Sequence, residues 1–240
     1  MGFLFNYALF DIDNTLSRGY VLRAMMDNEA EAGFLDSAIY AEMKAAFESY
    51  QSGQGRYIHF ADTIMNLYAK AAKGQQWDDL EICNSIFLSR NRKNLFYDYA
   101  EPVIAMLREA GFRVILVTTE PEFQAAAVRS LLNAEGFLAT KLSIENRVFD
   151  GRIERMLATS EQKMNAIAKR IGDVGKIALA FGDSDSDIGM LCAAENAVLI
   201  NAESPALLSK ARLEGWFTAD GKNKKAILRH VRRVIDSSTL

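Results

Sequence analysis

Short, uninterrupted apolar runs alternate with helical patterns along most of this 240-residue chain. Runs of this kind are typical of strands that are buried on both faces of a parallel sheet. Helices between such strands cover the two faces, so the sequence predicts an α/β fold built on a parallel sheet. The expected strands are Tyr7–Phe10, Arg113–Val117, Phe137–Leu142, Ile177–Phe181 and Ala197–Ile200, and the expected helices are Pro102–Ala110, Glu122–Asn133, Ser160–Ile171 and Ile188–Ala194.

The stretch 16–97 breaks this alternation, because its apolar residues recur with helical spacing and no run in it indicates a strand. We therefore predict a helical domain at 16–97, inserted into a core domain made of 1–15 and 98–240. Its expected helices lie near Tyr20–Ala32, Ser37–Tyr50, Ile58–Lys73 and Trp77–Leu95. The aromatic residues expected to form the core of this insert are Phe34, Tyr50, Tyr57, Phe60 and Tyr68.

Two local signals concern the rest of the backbone. Asp150-Gly151 lies between short extended runs within Leu142–Ile153, which predicts the turn of a β-hairpin. The tail Ser237–Leu240 is expected to fray, as chain ends commonly do.

Charge and composition argue against nucleic-acid and membrane partners. The formal net charge is −3, and the basic residues of 222–233 are expected to form the solvated face of a helix. No apolar run approaches the ~20 residues that a membrane span needs. Met1–Phe10 has no positive flank and leads directly into an acidic segment, so it indicates a buried strand and not a signal peptide. Two cysteines without metal-ligand spacing, Cys83 and Cys192, favour a reduced, cytoplasmic protein.

The histidine count restricts the chemistry. The chain has only His59 and His230, far apart in sequence and outside any metal-ligand or triad pattern. A histidine nucleophile or a multi-histidine metal cluster is therefore not expected. The chemistry must rest on carboxylates, hydroxyls and lysine.

Two carboxylates follow the first expected strand, in the segment Asp11-Ile12-Asp13-Asn14-Thr15. Acids two residues apart at a strand end can reach one pocket, where their like charges need a cation or a proton. A solvated turn with a helix-capping residue is the alternative.

Three more acids alternate in Gly182-Asp183-Ser184-Asp185-Ser186-Asp187, directly after the fourth expected strand. Oxygen ligands at this spacing favour Mg²⁺ or Ca²⁺. A calcium EF-hand loop is not expected, because its sixth position would be Ile188 where glycine is needed and its twelfth Ala194 where glutamate is needed. The alternative is an acidic turn in which Asp187 caps the following helix.

Hydroxyls and one lysine complete the set of candidates. Thr118 and Thr119 close the second expected strand, where hydroxyl and free backbone N–H groups suit an anionic oxygen, although a plain helix cap is the alternative. Lys163 lies in the first turn of the helix that precedes the fourth strand. Alone it carries no signal, because most lysines are solvated. It becomes informative only through the order in which the acidic, hydroxyl and lysine candidates follow one another along the chain.

That order resembles the haloacid dehalogenase-like hydrolase (HAD) superfamily. In this family an Asp-x-Asp-x-Thr motif follows the first strand, a Ser or Thr follows the second, and a Lys precedes a Gly-Asp-type acidic motif. The insert lies between the first two motifs, where the family's helical type 1 caps occur, so the resemblance covers the whole chain and implies a Rossmann-like core with an all-α cap domain. The segment Asp150-Gly151-Arg152-Ile153, upstream of Lys163, resembles sequences of the phosphoserine-phosphatase-like branch of this superfamily, subfamily IB. The matching residues here are Asp11, Asp13, Thr15, Thr118, Lys163, Asp183 and Asp187.

The resemblance implies a Mg²⁺-dependent phosphatase. Asp11 would be the nucleophile that forms an aspartyl-phosphate, and Asp13 the general acid and then the base. Mg²⁺ would be held by a carboxylate oxygen of Asp11, the backbone carbonyl of Asp13, and Asp183, with Asp187 ligating directly or through water. The phosphate would be held by Thr118, Thr119 and Lys163.

The expected substrate is a small phosphomonoester. Phosphoserine phosphatases carry an acid shortly after the first motif, whereas this chain has no acid between Thr15 and Asp27, which argues against phosphoserine. Arg18, Arg23, Arg56 and His59 could contact an anionic substrate tail, although solvated or packed side chains are the simpler interpretation. A phosphotransferase of the same fold and a non-catalytic metal- or phosphate-binding regulatory module remain as alternatives, and the sequence does not indicate an oligomeric state.

Overall fold

One seven-stranded sheet forms the centre of the computed structural model, which describes residues 5–238. Its strands are β1 (Phe5–Phe10), β2 (Arg113–Pro121), β3 (Gly136–Glu145), β4 (Val148–Arg155), β5 (Gly175–Gly182), β6 (Asn196–Ile200) and β7 (Phe217–Ala219). They are arranged in the order β4-β3-β2-β1-β5-β6-β7, and every adjacent pair is parallel except β3 and β4. The predicted α/β class is confirmed.

Helices alternate with these strands as the apolar pattern predicted. Five lie between β1 and β2, and each of the others follows a strand. The helices are α1 (Val21–Glu31), α2 (Ser37–Gln51), α3 (Tyr57–Ala71), α4 (Trp77–Leu95), α5 (Ala100–Glu109), α6 (Glu122–Leu132), α7 (Ser160–Ile171), α8 (Ile188–Ala193), α9 (Pro205–Glu214) and α10 (Lys224–Ser238).

Alternate residues of β1 face two separate hydrophobic cores. Ala8 and Phe10 belong to the core that contains α5 and α10. Tyr7 and Leu9 belong to the core that contains α7, α8 and α9. Because successive strand side chains point to opposite faces, the buried part of this strand, Tyr7–Phe10, must be apolar throughout, which is the pattern in its sequence.

Helices α1 to α4 share a third core. Buried residues of these helices pack together with Phe123 of α6 and with Leu142 and Phe149 of the β3–β4 hairpin. The helical insert is therefore seated on α6 and on this hairpin. The division of the chain into a core and an insert at 16–97 stays a prediction.

Strand β1 lies between β2 and β5, so the strand order changes direction there. In sheets of this kind, ligands bind outside the carboxyl ends of the strands at such a point. The segments that follow β1 and β5 and the end of β2 are therefore the parts of the chain that can meet at one site.

Three local predictions were wrong. The hairpin turn is formed by Asn146 and Arg147, which both have positive φ, whereas Gly151 lies inside β4 at an irregularity in the pairing. Strand β2 continues past Val117 to Pro121, so Thr118 and Thr119 lie within it and not at the helix start. Strand β7 was not anticipated, because three residues carry too short an apolar pattern.

The ends of the chain are described only in part. The predicted first strand is observed from Phe5 onward, and its residues 1–4 lie outside the described range. Ser237 and Ser238 belong to α10, and the remaining residues of the tail expected to fray also lie outside that range. Within residues 5–238, no helix is long and apolar enough to cross a membrane.

Candidate active site

Three sequence-predicted residues come from neighbouring strands of the sheet. Asp11 directly follows β1, Asp183 directly follows β5, and Thr118 lies near the end of β2. The backbone N–H of Asp11 donates to the carbonyl of Phe181 over 3.0 Å, which extends the pairing of β1 and β5 to the catalytic candidate. The parallel arrangement therefore brings all three to one edge of the sheet.

Lys163 joins this group from α7. Its side chain is 2% exposed, and its ammonium lies 2.9 Å from Oδ1 of Asp11 and 2.7 Å from Oδ1 of Asp187. These two carboxylates keep the pKa of Lys163 above its usual value despite burial, which by itself would lower it. A fully buried lysine needs such partners, because an unpaired buried charge is very unfavourable.

Helix α7 is brought close to the acidic segment by Gly189 of α8. The backbone N–H of Gly189 donates to Oγ of Ser160 over 2.9 Å. A Cβ at position 189 would lie 2.5 Å from Cγ of Met164, so only glycine permits this approach of the two helices. The close contact holds the first turn of α7, and with it Lys163, against the end of β5.

Asp187 organises the segment that carries Asp183. Its Oδ2 accepts hydrogen bonds from the backbone N–H groups of Asp183 and Ser184 and from the Ser184 hydroxyl, over 3.1–3.2 Å. A Cβ at Gly182 would lie 2.5 Å from Cβ of Asp187, which explains the glycine before Asp183. Asp187 occupies the N-cap position of α8, but its side chain makes no capping hydrogen bond to that helix, so the alternative of a plain capping residue is not supported.

Asp11, Asp183 and Asp187 form a cluster of carboxylates. One oxygen from each lies within 4.8 Å of the others. Burial and the neighbouring carboxylates raise the pKa values of Asp11 and Asp183 well above the usual range. Such a set needs protons or a cation, and an all-oxygen donor set fits a hard divalent ion such as Mg²⁺. Asp185 is exposed and lies outside this cluster.

Asp13 lies at the beginning of α1, the first helix of the insert. Its Oδ1 accepts from the backbone N–H of Val21 over 2.6 Å. Burial raises the pKa of Asp13 to about 7, although the backbone donors of Val21 and Leu22 oppose the shift. A carboxyl group with a pKa near neutrality can both donate and accept a proton under physiological conditions.

The two threonines of β2 differ in what their hydroxyls can do. Thr119 donates to the carbonyl of Leu157 over 3.1 Å, so in its contact with Tyr57, at 3.0 Å, the tyrosine hydroxyl is the donor. Oγ1 of Thr118 accepts from the backbone N–H of Glu120 over 3.2 Å. This leaves the proton of Thr118 available to an incoming anionic oxygen.

Glu120 is a residue that the sequence interpretation missed. It is fully buried, and neither carboxylate oxygen has a hydrogen-bond donor among the described residues. Burial and the charges of Asp13 and Asp11 raise its pKa well above the usual range, which favours its protonated form. Its position two residues after Thr118 was the available signal.

A cavity of about 790 Å³ opens over these residues. Tyr50 and Tyr57 line it and also pack against the core of α1 to α4, so each contributes both to that predicted core and to the cavity wall. Phe60 and Tyr68 are buried as expected, and Phe34 is partly buried against the same core. The remaining aromatic lining residues are Tyr20 and Tyr97.

The four suggested contacts to a substrate tail do not line this cavity. Arg18 is paired with Asp98, and Arg23 with Asp27. Arg56 and His59 are exposed and lie outside the lining.

Four further residues that the sequence interpretation missed also line the cavity. They are Asn201, Glu203, Asp220 and Lys222. Asn201 follows β6 and Asp220 follows β7, so the rule that led to Asp11 and Asp183 also applies to them. Asp220 was missed because the short strand before it was missed.

The sequence of residues 8–191 matches the family model of the haloacid dehalogenase-like hydrolases. No curated protein matches the chain. Among solved structures, the chain is similar to a protein of unknown function from Bordetella pertussis Tohama I, with 23% identity and a TM-score of 0.71, over 91% of this chain and 99% of that one.

The fold is also shared with phosphoserine phosphatases. A substrate-bound form matches with 20% identity and a TM-score of 0.62, over 94% of this chain and 98% of that one. A form described as a phospho-aspartyl intermediate analogue matches with 20% identity and a TM-score of 0.61, over 95% and 99% of the two chains. The expected phosphoserine-phosphatase-like branch is thereby confirmed for the fold.

Proposed function

The chain belongs to the haloacid dehalogenase-like hydrolases, and from this membership we propose that it is a Mg²⁺-dependent phosphatase that hydrolyses a small phosphomonoester through an aspartyl-phosphate on Asp11. The observation that carries the proposal is the position of Asp11. Its carboxylate lines the cavity, contacts the Lys163 ammonium at 2.9 Å and belongs to the carboxylate cluster. A nucleophile, a cation for the phosphoryl group and a candidate metal site therefore meet at one side chain.

A divalent cation would be held by Asp11, Asp183 and the backbone carbonyl of Asp13. When bound, Mg²⁺ neutralises charge on the phosphoryl oxygens. Asp187 already accepts from Lys163 and from three donors of the Asp183 segment. This supports a role in which Asp187 positions Asp183 and contacts the ion through water.

In the first chemical step, a carboxylate oxygen of Asp11 attacks phosphorus and the bond from phosphorus to the ester oxygen breaks. Asp13 gives its proton to that oxygen, so the leaving group departs as a neutral alcohol. The pKa of Asp13, about 7, supports this role because a substantial fraction is protonated at neutral pH.

In the second step, Asp13 takes a proton from water as the water oxygen attacks phosphorus. The bond from phosphorus to Asp11 breaks, which releases inorganic phosphate and restores both side chains to their starting protonation states. Charge on the three phosphoryl oxygens is stabilised by the Lys163 ammonium and the Thr118 hydroxyl, which are preorganised before the substrate arrives. Thr119 would contribute its backbone N–H, because its hydroxyl proton is committed to Leu157.

Helices α1 to α4, within 16–97, would act as the cap domain of this enzyme. Tyr20, Tyr50 and Tyr57 bring that segment to the cavity above Asp11. Covering the cavity excludes water from the phosphoryl group, as lids do in many enzymes.

The test is a phosphate-release assay with a panel of phosphomonoesters, with and without Mg²⁺. We expect turnover that requires Mg²⁺ and is lost in Asp11→Asn. Hydroxylamine added during turnover should convert the aspartyl-phosphate to a hydroxamate, which mass spectrometry would locate at Asp11. Full turnover by a folded Asp11→Asn variant contradicts the proposal.

The same assay separates hydrolysis from phosphotransfer. Added alcohols compete with water for the aspartyl-phosphate, and the phosphorylated alcohols can be quantified beside inorganic phosphate. A phosphatase yields mainly inorganic phosphate, whereas a phosphotransferase yields mainly the new ester. A regulatory module yields neither.

A further inference from the structure

The lining of the cavity at Asp11 combines aromatic rings with carboxylates. From it we infer that the substrate is the phosphomonoester of an amino alcohol, whose ammonium group lies against Tyr20, Tyr50 and Tyr57 below a negatively charged rim. This inference rests on the proposed phosphatase activity and adds the class of the leaving group.

The lining of the cavity is predominantly acidic. It contains one lysine, Lys222, and among the described residues no arginine or histidine. Its six carboxylates are Asp11, Asp13, Asp183, Asp185, Glu203 and Asp220.

The proposed mechanism would offset most of the negative charge of the carboxylates at the reacting centre. In the proposed mechanism, Asp11 and Asp183 would hold the divalent cation and Asp13 would face the leaving oxygen. Asp185, Glu203 and Asp220 then remain against Lys222, which leaves an excess of negative charge at the rim. Among the described residues, none of these three carboxylates forms an ion pair, and Lys222 is the one cation that shares the lining with them.

The three tyrosines also favour a cationic group. The rings of Tyr20 and Tyr50 are 6.5 Å apart at 76°, and those of Tyr50 and Tyr57 are 6.1 Å apart at 61°. Their planes are therefore steeply inclined to one another, and all three side chains are only partly buried, with one face of the Tyr50 ring stacked on Phe60 at 4.4 Å. Aromatic faces arranged in this way bind ammonium groups, and quaternary ones in particular, through cation–π attraction.

The same cavity disfavours an anionic leaving group. A carboxylate is held best by the paired donors of an arginine, and the nearby Arg18 is directed to Asp98 with its guanidinium over the Tyr97 ring. Lys222 is the one lining cation outside the catalytic centre among the described residues, and Asp185, Glu203 and Asp220 outnumber it. A substrate that carries a second anion would therefore meet net repulsion.

A series of two-carbon phosphate esters isolates the effect of the charge of the leaving group. 2-Aminoethyl phosphate, 2-hydroxyethyl phosphate and phosphoglycolate are similar in size and end in a cationic, a neutral and an anionic group. We expect kcat/KM to fall in that order, with phosphocholine at least as good as 2-aminoethyl phosphate. O-Phosphoserine adds a carboxylate to 2-aminoethyl phosphate, so it should be the poorer of the two.

Two variants test the two walls of the cavity. In Tyr50→Leu, the ratio of kcat/KM for phosphocholine to that for 2-hydroxyethyl phosphate should fall by ~3- to 30-fold, whereas Tyr50→Phe, which keeps the ring, should preserve the ratio.

In Glu203→Gln, the ratio of kcat/KM for the cationic substrates to that for 2-hydroxyethyl phosphate should fall at low ionic strength and differ less from the wild-type ratio at high salt. Glu48→Gln, at an exposed position of α2 outside the lining, should leave every ratio unchanged.

p-Nitrophenyl phosphate distinguishes failure of the inference from failure of the proposed function. If it and all the two-carbon phosphate esters are inert with Mg²⁺, the proposed phosphatase activity fails and the inference fails with it. If p-nitrophenyl phosphate is hydrolysed but the neutral, anionic or phosphoserine substrate matches or exceeds the amino alcohol esters, only the inference is overturned. Unchanged ratios in Tyr50→Leu would likewise overturn the inference alone.

Discussion

The ammonium of Lys163 and the carboxylate of Asp187 form an ion pair that solvent does not reach, with Nζ 2.7 Å from Oδ1 and side chains 2% and 0% exposed. The same ammonium contacts Asp11, so one lysine connects the candidate nucleophile to the residue that shapes the Asp183 segment. Catalysis and local stability therefore depend on the same contact.

Replacing this lysine should impair both properties. Lys163→Met keeps much of the volume but leaves Asp11 and Asp187 without their cation, and breaking a buried pair from one side costs ~3–5 kcal/mol. Loss of one preorganised phosphate donor should lower kcat by ~10²–10³-fold. Urea unfolding and phosphate release measure the two effects. Lys169→Met, at an exposed position of the same helix, should change neither; wild-type turnover in Lys163→Met would contradict the assigned role.

Magnesium should stabilise the folded protein. An ion that binds only the folded state adds ~2.7 kcal/mol at a hundredfold excess over its dissociation constant. Thermal unfolding with Mg²⁺ and with EDTA measures this difference in the wild type. The difference should shrink in Asp183→Asn and persist in Asp185→Asn, whose exposed side chain lies outside the carboxylate cluster. An equal response in both variants would rule out the proposed ligand set.

The protonation state of Asp13 should limit the reaction only for poor leaving groups. With a pKa of about 7, Asp13 is protonated below that pH and loses its proton above it. For an alkyl phosphate, kcat/KM should therefore fall by ~10-fold per unit well above pH 7. p-Nitrophenolate leaves without protonation, so its profile should stay flatter.

The variant Asp13→Asn provides the control for that profile. It should slow alkyl phosphates far more than p-nitrophenyl phosphate and remove the fall above pH 7. Equal losses for both substrates would contradict a role as general acid.

Glu29 should make the stability of the protein depend on pH. It is fully buried and accepts hydrogen bonds from Asn84, Gln124 and Tyr68, with no cation beside it among the described residues. Burial raises its pKa to about 8, above the 4.5 of an unperturbed glutamate. Its contribution is complete below pH 4.5 and is lost as the pH rises toward 8, at ~1.4 kcal/mol per unit within that window.

Unfolding measured between pH 5 and pH 8 in EDTA tests this linkage. Glu29→Gln keeps the shape without the ionisation, so its stability should fall less over this range than that of the wild type. Glu31→Gln, an exposed neighbour in α1, should behave like the wild type. Parallel curves for Glu29→Gln and the wild type would show that Glu29 does not titrate in this range.

The glycine before Asp183 should tolerate no side chain. In Gly182→Ala, the added Cβ would lie 2.5 Å from Cβ of Asp187, so the segment must shift. We expect weaker Mg²⁺ binding and a large loss of kcat. Calorimetric titration with Mg²⁺ measures the first effect, and an unchanged affinity would contradict this account of the segment.

The strands could be predicted because burial on both faces requires an uninterrupted run of apolar residues, which is visible in the sequence. β1 and β5 are continuous apolar runs, each followed at once by an acid, and this pattern identified Asp11 and Asp183. The turn was misplaced because Asp150-Gly151 has the chemistry of a hairpin turn, while its glycine with positive φ serves an irregularity within β4. Local chemistry does not distinguish these two uses of glycine.

The walls of the cavity could not be predicted for a different physical reason. A tyrosine at helical spacing has the same pattern whether its ring only packs against the core of the helices or also lines a cavity, as Tyr50 and Tyr57 do. Likewise, no local pattern around Glu120 indicates that it is buried, because its burial depends on the whole fold. Long-range contacts decide both cases, and one sequence alone does not encode them in a local pattern.

The end of α2 and the linker that follows it form part of the cavity wall through Gln51, Gly53 and Gly55, which are exposed and belong to neither the sheet nor the carboxylate cluster. Gly53 and Gly55 have positive φ, which favours glycine, whereas the other linker residues can vary without changing an element that carries a reacting group. Libraries randomised in this linker should yield catalysts with altered selectivity and intact turnover chemistry. Directed evolution of this linker could therefore change substrate selectivity separately from the reacting groups.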